Sequence, residues 1–266
     1  MIDNKNLLLD VCNTAIRAGD EILKYYTEDI EVTYKDDDSP LTKADLAANK
    51  LIMSSLNQLD VNIPILSEEL IVDWDKRKNW NRYWLVDPLD GTKEFIKKNG
   101  EFTVNIALIE NNKPILGVIF IPAKSILYFA QQKNGSYKIN TKAELKSLDK
   151  AKKILVSQKS NLIRIVGSRS HSNSVFTNWV NEKFPHAKII HAGSSLKFCL
   201  IAEGNADLYP RFGPTSEWDI AAGHIILNEA GGKISTFENS EINYNIKENI
   251  LNAEFYATGN INYSNK

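Results

Sequence analysis

The chain has 266 residues, 32 basic and 33 acidic, for a formal net charge of −1, with 43% hydrophobic and 24% charged residues. That balance excludes a nucleic-acid-coating or polybasic membrane-surface protein. The length allows a sizeable core in one domain or two packed halves, and no apolar run approaches the roughly 20 residues needed to span a bilayer.

Residues 7–26 repeat apolar side chains at helical spacing (Leu8, Cys12, Ala15, Ile16, Ile22, Leu23), which predicts a long first helix. Residues 30–35 alternate as a strand, and Asp36-Asp37-Asp38-Ser39-Pro40 reads as a solvated acidic turn. A second helix over 43–59 gathers Leu46, Ala47, Leu51, Ile52, Leu56 and Leu59 on one side. The short apolar strand Pro64-Ile65-Leu66-Ser67 ends in the adjacent acids Glu68 and Glu69, and Tyr83-Trp84-Leu85-Val86 reads as a buried strand that Asp87 ends. Strands at 102–109, 115–121, 126–130 and 136–139, separated by Asn111-Asn112, Pro122 and Asn134-Gly135, predict an antiparallel meander. The lysine-rich stretch 141–153 is the candidate boundary between an N-terminal half, 1–148, and a C-terminal half, 149–266. Past it, strands at 154–157, 163–167, 188–191, 206–209 and 255–258 interleave with helices at 172–184, 195–203 and 219–230. The expected class is α+β in the first half and α/β in the second, layered as helices and sheets. Cys12 and Cys199 both sit in apolar helical patterns, and no basic-then-apolar leader is visible. A soluble protein in a reducing, cytoplasmic setting is expected.

The chemistry concentrates in Asp87-Pro88-Leu89-Asp90-Gly91-Thr92, two carboxylates and a hydroxyl at a strand mouth where Pro88 and Gly91 turn the chain. Two unit charges about 4 Å apart repel by about 4 kcal/mol at an effective dielectric of about 20, and a hard divalent cation offsets that. Glu68-Glu69 and Trp218-Asp219, the latter opening an apolar helix, deliver further acids. Oxygen ligands suit Mg²⁺, and no Cys or His cluster suits zinc. Gly193-Ser194-Ser195 precedes a helix, where N–H groups and hydroxyls favour an anion, and Lys197 and Arg211 add two cations, Arg211 with a bidentate fork. Two cations suit a substrate with two phosphates, whereas an inositol phosphate needs hydroxyl acceptors. Trp218 is expected to brace Asp219, and His186, His191 and His224 to be packing or surface residues.

On Glu68-Glu69, D-P-L-D-G-T at 87–92 and W-D-I-A-A-G at 218–223, the chain resembles the inositol monophosphatase superfamily of magnesium-dependent, lithium-sensitive phosphatases. Within it, residues 83–96, 193–199 and 208–214 are similar to the CysQ-type 3′(2′),5′-bisphosphate nucleotidases. The resemblance implies a layered αβαβα sandwich and hydrolysis of the 3′-phosphate of adenosine 3′,5′-bisphosphate to AMP, linked to sulfate assimilation. It implies two to three Mg²⁺ ions: one on Glu68, Asp87 and the Leu89 carbonyl, one on Asp87, Asp90 and Asp219, and a weaker third leaning on Glu68, with Lys35 steadying water near it. Asp45, in Thr42-Lys43-Ala44-Asp45, and Thr92 become the pair that orients and deprotonates the attacking water. Implied substrate contacts are Glu68, Leu89, Asp90, Gly91, Thr92, His171, Ser194, Lys197, Arg211 and Asp219. The implied partner is a small-molecule nucleotide, the implied assembly a monomer or homodimer.

Three alternatives stay open at this stage. One is an inositol or sugar phosphatase of the same superfamily. Another is a haloacid-dehalogenase-type phosphatase, although D-P-L-D-G-T is one residue longer than that nucleophile motif. The third is a non-catalytic calcium protein, although no 12-residue EF-hand loop occurs.

Overall fold

The computed structural model describes residues 4–27, 32–34, 40–158, 162–170 and 174–261. Lys35, the acidic turn Asp36-Asp37-Asp38 and His171 lie outside the described residues. In chain order the elements are α1 (Asn4–Tyr26), β1 (Val32–Tyr34), β2 (Pro40–Thr42), α2 (Lys43–Leu59), β3 (Ile65–Ser67), α3 (Trp74–Arg77), β4 (Arg82–Asp90) and α4 (Thr92–Ile96). The meander follows as β5 (Thr103–Glu110), β6 (Lys113–Ile121), β7 (Ile126–Gln131), β8 (Gly135–Asn140) and β9 (Lys152–Ile154). The remainder is β10 (Arg164–Ser168), α5 (Ser174–Lys183), β11 (Lys188–Ala192), α6 (Leu196–Ala202), β12 (Leu208–Arg211), α7 (Glu217–Glu229), β13 (Lys233–Thr236) and β14 (Phe255–Thr258).

Among the described residues, β3 to β9 form a seven-stranded sheet in sequence order, with β3 parallel to β4 and every later pair antiparallel. Side-chain alternation tells why both its faces are covered. On β4, Trp84 and Val86 point to one core, Tyr83 and Leu85 to another; on β6, Leu116, Val118 and Phe120 oppose Ile119 and Ile121. The first core takes α1 and α2, whose residues Ala44, Ala48, Ile52 and Leu56 recur every four positions and are fully buried. The second core takes α6 and α7, and across them a second sheet in the order β11-β10-β12-β14-β13. The far face of that sheet, through Ile165, Leu208 and Tyr256, packs on Val180, Phe176 and Trp179 of α5. The result is helix–sheet–helix–sheet–helix, the expected αβαβα layering.

Local chemistry sets the hairpins and the close packing. Asn111 and Asn112 both take positive φ (49° and 63°) in the two-residue turn between Glu110 and Lys113, as a tight hairpin requires. Gly117 lets α7 lie against β6: a Cβ there would meet Ile225 and come within 2.7 Å of the Ala222 carbonyl oxygen.

The structure departs from expectation in several places. α2 turns Ala44, Ala48, Ile52 and Leu56 to the core, so Leu46, expected on that side, is exposed, and β2 and α3 are further short elements. The β4 strand does not end at Asp87; it resumes past a register shift between Asp87 and Asp90, and Pro88 sits where the ladder is interrupted and no donor is needed. β13, with the sequence Lys-Ile-Ser-Thr, went unrecognised because it is short and half polar. β9 pairs with β8, so the first sheet runs past the 148/149 division expected from the lysine-rich connection.

One buried group makes stability depend on pH. His224 on α7 is 6% exposed and its Nδ1 lies 2.9 Å from Tyr244 Oη. Burial, then Lys113, push its pKa down to about 4, with Glu241 opposing. Because the depressed value lies below the unfolded one, its neutral form is no handicap above the ordinary histidine range and stability falls as pH drops toward the folded pKa. The loss attributable to this group is expected to reach about 3 kcal/mol at full protonation. Urea midpoints taken at about pH 7 and about pH 4.5 should differ less in His224→Gln than in the unsubstituted protein; equal differences would assign the acid sensitivity to other groups.

Candidate active site

The carboxyl ends of β3, β4, β10 and β12 open on one cavity of about 340 Å³ lined by Glu68, Asp87, Leu89, Asp90, Gly91, Thr92, Ser194, Lys197, Arg211 and Asp219 among others. β3 delivers Glu68, whose N–H donates to the Val86 carbonyl at 3.1 Å. The interrupted end of β4 delivers Asp87 and Asp90, and Asp87 Oδ1 accepts the Leu89 N–H at 3.1 Å. Gly91, with φ 90°, turns the chain into α4 and places Thr92 at its first position.

Asp45 and Asp219 are held by the same device. Each is the third residue of a helix and closes a capping box: Asp45 Oδ2 accepts from Thr42 N (2.8 Å) and Oγ1 (2.6 Å), and Asp219 Oδ2 accepts from Ser216 N (3.0 Å). Asp45 then accepts the Thr92 hydroxyl on its other oxygen, Oδ1, at 3.1 Å. Thr92 Oγ1 also lies 3.4 Å from the Leu89 carbonyl oxygen. Asp90 Oδ2 takes the Ser195 N–H at 2.6 Å and Asn105 Nδ2 at 3.2 Å.

The acids repel one another strongly. Burial, then the charges of Glu68, Asp90 and Asp219, hold the Asp87 carboxyl well above the usual carboxylate range, and it shares a hydrogen bond with Glu68. Asp219 is likewise raised well above that range, by burial and then by Asp90 and Glu68. Asp90 is pushed up to about 6 by burial, against the opposing pull of Lys197, Asn105 and the Ser195 N–H. Asp45 is raised by burial while its hydrogen bonds from Thr42 pull the other way.

The same cavity also carries two cations, Lys197 near Asp90 and Arg211 near Asp219. Lys197 was expected as an accessible phosphate contact, yet it is only 6% exposed. Its Nζ donates to the Ser194 carbonyl (2.6 Å) and lies 5.4 Å from the Tyr209 ring centre. Burial, then Arg211, lower its pKa to about 8, while Asp90 works against them. Arg211 donates Nε to the Gly213 carbonyl (3.1 Å) and Nη2 to that of Pro214 (2.7 Å). Ser194 has φ 44°, and its buried hydroxyl has no hydrogen-bond partner among the described residues. A second cavity of about 610 Å³, lined by Ser168, Ser170, Phe176, Tyr209, Arg211 and Phe212 among others, adjoins the first at Arg211.

Glu68, Asp87, Asp90 and Asp219 therefore line one cavity with Thr92, Ser194, Lys197 and Arg211, and Asp45 reaches it through its bond to Thr92; Glu69 is not among the lining residues, and His171 and Lys35 lie outside the described residues. Sequence reasoning missed Thr103 and Asn105 beneath Asp90, and the Arg169–Glu101 pair (2.6 and 2.9 Å) whose carboxylate also accepts the Gly193 N–H; Ser195, expected to favour an anion, bonds Asp90 and Asn105. A signal existed for two of them: Thr103 and Asn105 are polar at alternate positions of an otherwise apolar strand. Trp218 is buried in the core, as a brace for Asp219 should be.

The comparisons with known proteins point the same way. The sequence profile of the inositol monophosphatase family matches residues 3–264. The chain belongs to the inositol monophosphatase family. It is 45% identical over 254 residues to the 3′(2′),5′-bisphosphate nucleotidase CysQ of Salmonella typhimurium, covering 95% of this chain and 99% of that one. It is 46% identical over 260 residues to the nucleotidase CysQ of Buchnera aphidicola, covering 96% and 94%. The crystal structure of CysQ from Bacteroides thetaiotaomicron superimposes with a TM-score of 0.87 at 38% identity over 97% of this chain and 98% of that one. An inositol monophosphatase from Thermotoga maritima shares the fold at a TM-score of 0.76 and 24% identity, covering 93% and 90%.

Members of this family are metal-dependent phosphatases. Among the described residues no three histidine, cysteine or carboxylate side chains stand as a ready-made cage around one point. What the acids offer is an all-oxygen set, Glu68, Asp87, Asp90, Asp219 and the Leu89 carbonyl, on one cavity, with repulsion that a bound cation would relieve. That set fits Mg²⁺. Mg²⁺ at about a hundred times its dissociation constant is expected to stabilise the protein by about 2.7 kcal/mol, read as a rise in melting temperature that a chelator reverses. Asp87→Asn should lose most of that rise; an undiminished rise would put the cation elsewhere.

Proposed function

We propose that the chain is a 3′(2′),5′-bisphosphate nucleotidase that removes the 3′-phosphate of adenosine 3′,5′-bisphosphate, leaving AMP. Identity of 44–46% over nearly the whole length to nucleotidases of that name carries the reading. The cavity's make-up agrees with it: acids for a cation, Lys197 and Arg211 in the same lining, and a second chamber with Phe176 and Phe212 that adjoins it at Arg211. One phosphate would sit against the acids and their cation, the other against Arg211, and the nucleoside would have room in the second chamber.

Phosphate-ester hydrolysis is among the slowest uncatalysed reactions, so most of the barrier reduction is electrostatic and positional. Two or three Mg²⁺, held by Glu68, Asp87, the Leu89 carbonyl, Asp90 and Asp219, would supply charge neutralisation of the phosphoryl oxygens and acidify a water. The remaining work falls to this chain's own side chains. Because Asp45 Oδ1 accepts the Thr92 hydroxyl proton, a lone pair of Thr92 Oγ1 is left to accept from a water in the cavity that Thr92 lines. As that water attacks phosphorus, the bond from phosphorus to the 3′-oxygen breaks and that oxygen leaves on AMP, taking a proton from solvent; the attacking water's proton passes to Thr92 Oγ1 while the threonine proton moves to Asp45, whose burial makes it a better base than a free aspartate. Lys197, charged below its pKa of about 8 and pulled toward Asp90, balances the anionic wall beside the substrate loop. In this reading the half spanning 1–148 supplies Glu68, Asp87, Asp90 and the water-activating pair, and the half spanning 149–266 supplies substrate contacts and Asp219.

A substrate panel with Mg²⁺ tests the assignment. Phosphate release from adenosine 3′,5′-bisphosphate should exceed that from inositol 1-phosphate and fructose 1,6-bisphosphate, and Arg211→Ala should weaken the nucleotide more than the inositol ester. Equal rates across the panel would return the chain to the broader phosphatase class. For the water-activating pair, Thr92→Ala and Asp45→Asn should each lower kcat by about 10²–10⁴-fold with little change in KM. A loss confined to KM would make Thr92 a binding group only.

A further inference from the structure

β5 carries two polar side chains in an apolar strand, and each stands directly across the ladder from an acid of β4: Asn105 opposite Asp87, Thr103 opposite Asp90. Both are essentially inaccessible, at 1% and 0% exposure, as is Ser195 at 2%. Their bonds form a closed set. Asn105 Nδ2 donates to Asp90 Oδ2 (3.2 Å), and Asn105 Oδ1 accepts from Ser195 Oγ (2.8 Å) and Thr103 Oγ1 (3.1 Å). The two hydroxyl oxygens are 2.8 Å apart, and the Ser195 N–H adds a 2.6 Å bond to the same Asp90 Oδ2. Thr103 Oγ1 reaches that oxygen at 3.5 Å.

Two consequences follow from where these bonds go. Every bond of the set that reaches Asp90 falls on its Oδ2, so the carboxylate is fixed in rotation and Oδ1 is left to the cavity that Asp90 lines. Ser195 sits in the loop between β11 and α6, so the same set ties the second sheet's loop to the acid-bearing strand of the first. The loop's other end is tied to Glu101 through the Gly193 N–H (2.9 Å). Packing alone does not call for this, since a buried polar set gains little over well-packed apolar side chains of the same shape.

We propose that Asn105, seconded by Thr103, is a positioning residue that aims Asp90 at the cation and locks the Gly193-Ser194-Ser195 loop in register with it. The inference rests on the metal-dependent nucleotidase reading above, but it is read without substrate. Asn105→Leu removes the donor and the acceptor at similar volume. The Mg²⁺ concentration giving half the rise in melting temperature should climb about 10–100-fold, and kcat should fall by a similar factor. Thr103→Val should shift the Mg²⁺ dependence in the same direction, and Thr103→Ser, which keeps the hydroxyl, should restore it. If Asn105→Leu fails to fold, the Thr103→Val and Thr103→Ser pair decides alone. Folded variants whose half-maximal Mg²⁺ stays within about twofold of the unsubstituted value overturn the proposal, as does an unsubstituted protein with no Mg²⁺ shift. A normal Mg²⁺ shift with no phosphate released from the 3′-phosphorylated nucleotide would instead count against the nucleotidase reading.

Discussion

Mutual repulsion among Glu68, Asp87, Asp90 and Asp219 is the constraint around which this molecule is built. Acids from β3, β4 and α7 are forced to one cavity, and burial raises the cost of their charge. The fold offsets that cost with donors aimed at single oxygens: the Leu89 N–H at Asp87, the Ser195 N–H at Asp90, the Ser216 N–H at Asp219. Each bond fixes one oxygen and leaves the other for a cation.

Helix starts do much of this placing. The capping boxes at Thr42 and Ser216 are ordinary ways to begin a helix, but here their acidic third residues are Asp45 and Asp219. A residue that closes a helix start thereby also faces the chemistry, and its rotamer is fixed by a local bond rather than by distant packing. The site geometry is to that extent inherited from local sequence.

This explains which features could be read from residues alone. The span of α2 is legible from helical apolar spacing, but its buried face is not: Leu46, expected on it, is exposed, because small alanines at 44 and 48 take the side against the sheet. The strands β5 to β8 are legible from alternation and the Asn111-Asn112 turn. The acid cluster is legible because the Asp87–Asp90 motif, Glu68 and Asp219 each stand at an element's end. What escaped depends on contacts between distant segments. The passage of β4 beyond Pro88 relies on its pairing with β5, and the bonds among Thr103, Asn105 and Ser195 join two sheets. Lys197 reads as a free cation in one dimension; only the folded loop shows it buried against Tyr209.

The placement of α7 has a mechanical corollary. Its body is buried against β6 on one side and shares a core with the second sheet on the other, while its first turn carries Asp219. Neither sheet can pivot away from the other without dragging one wall of the reaction chamber along. Packing of α7 into both sheets thus argues against a clamshell hinge between them and for a site whose acids share one rigid frame.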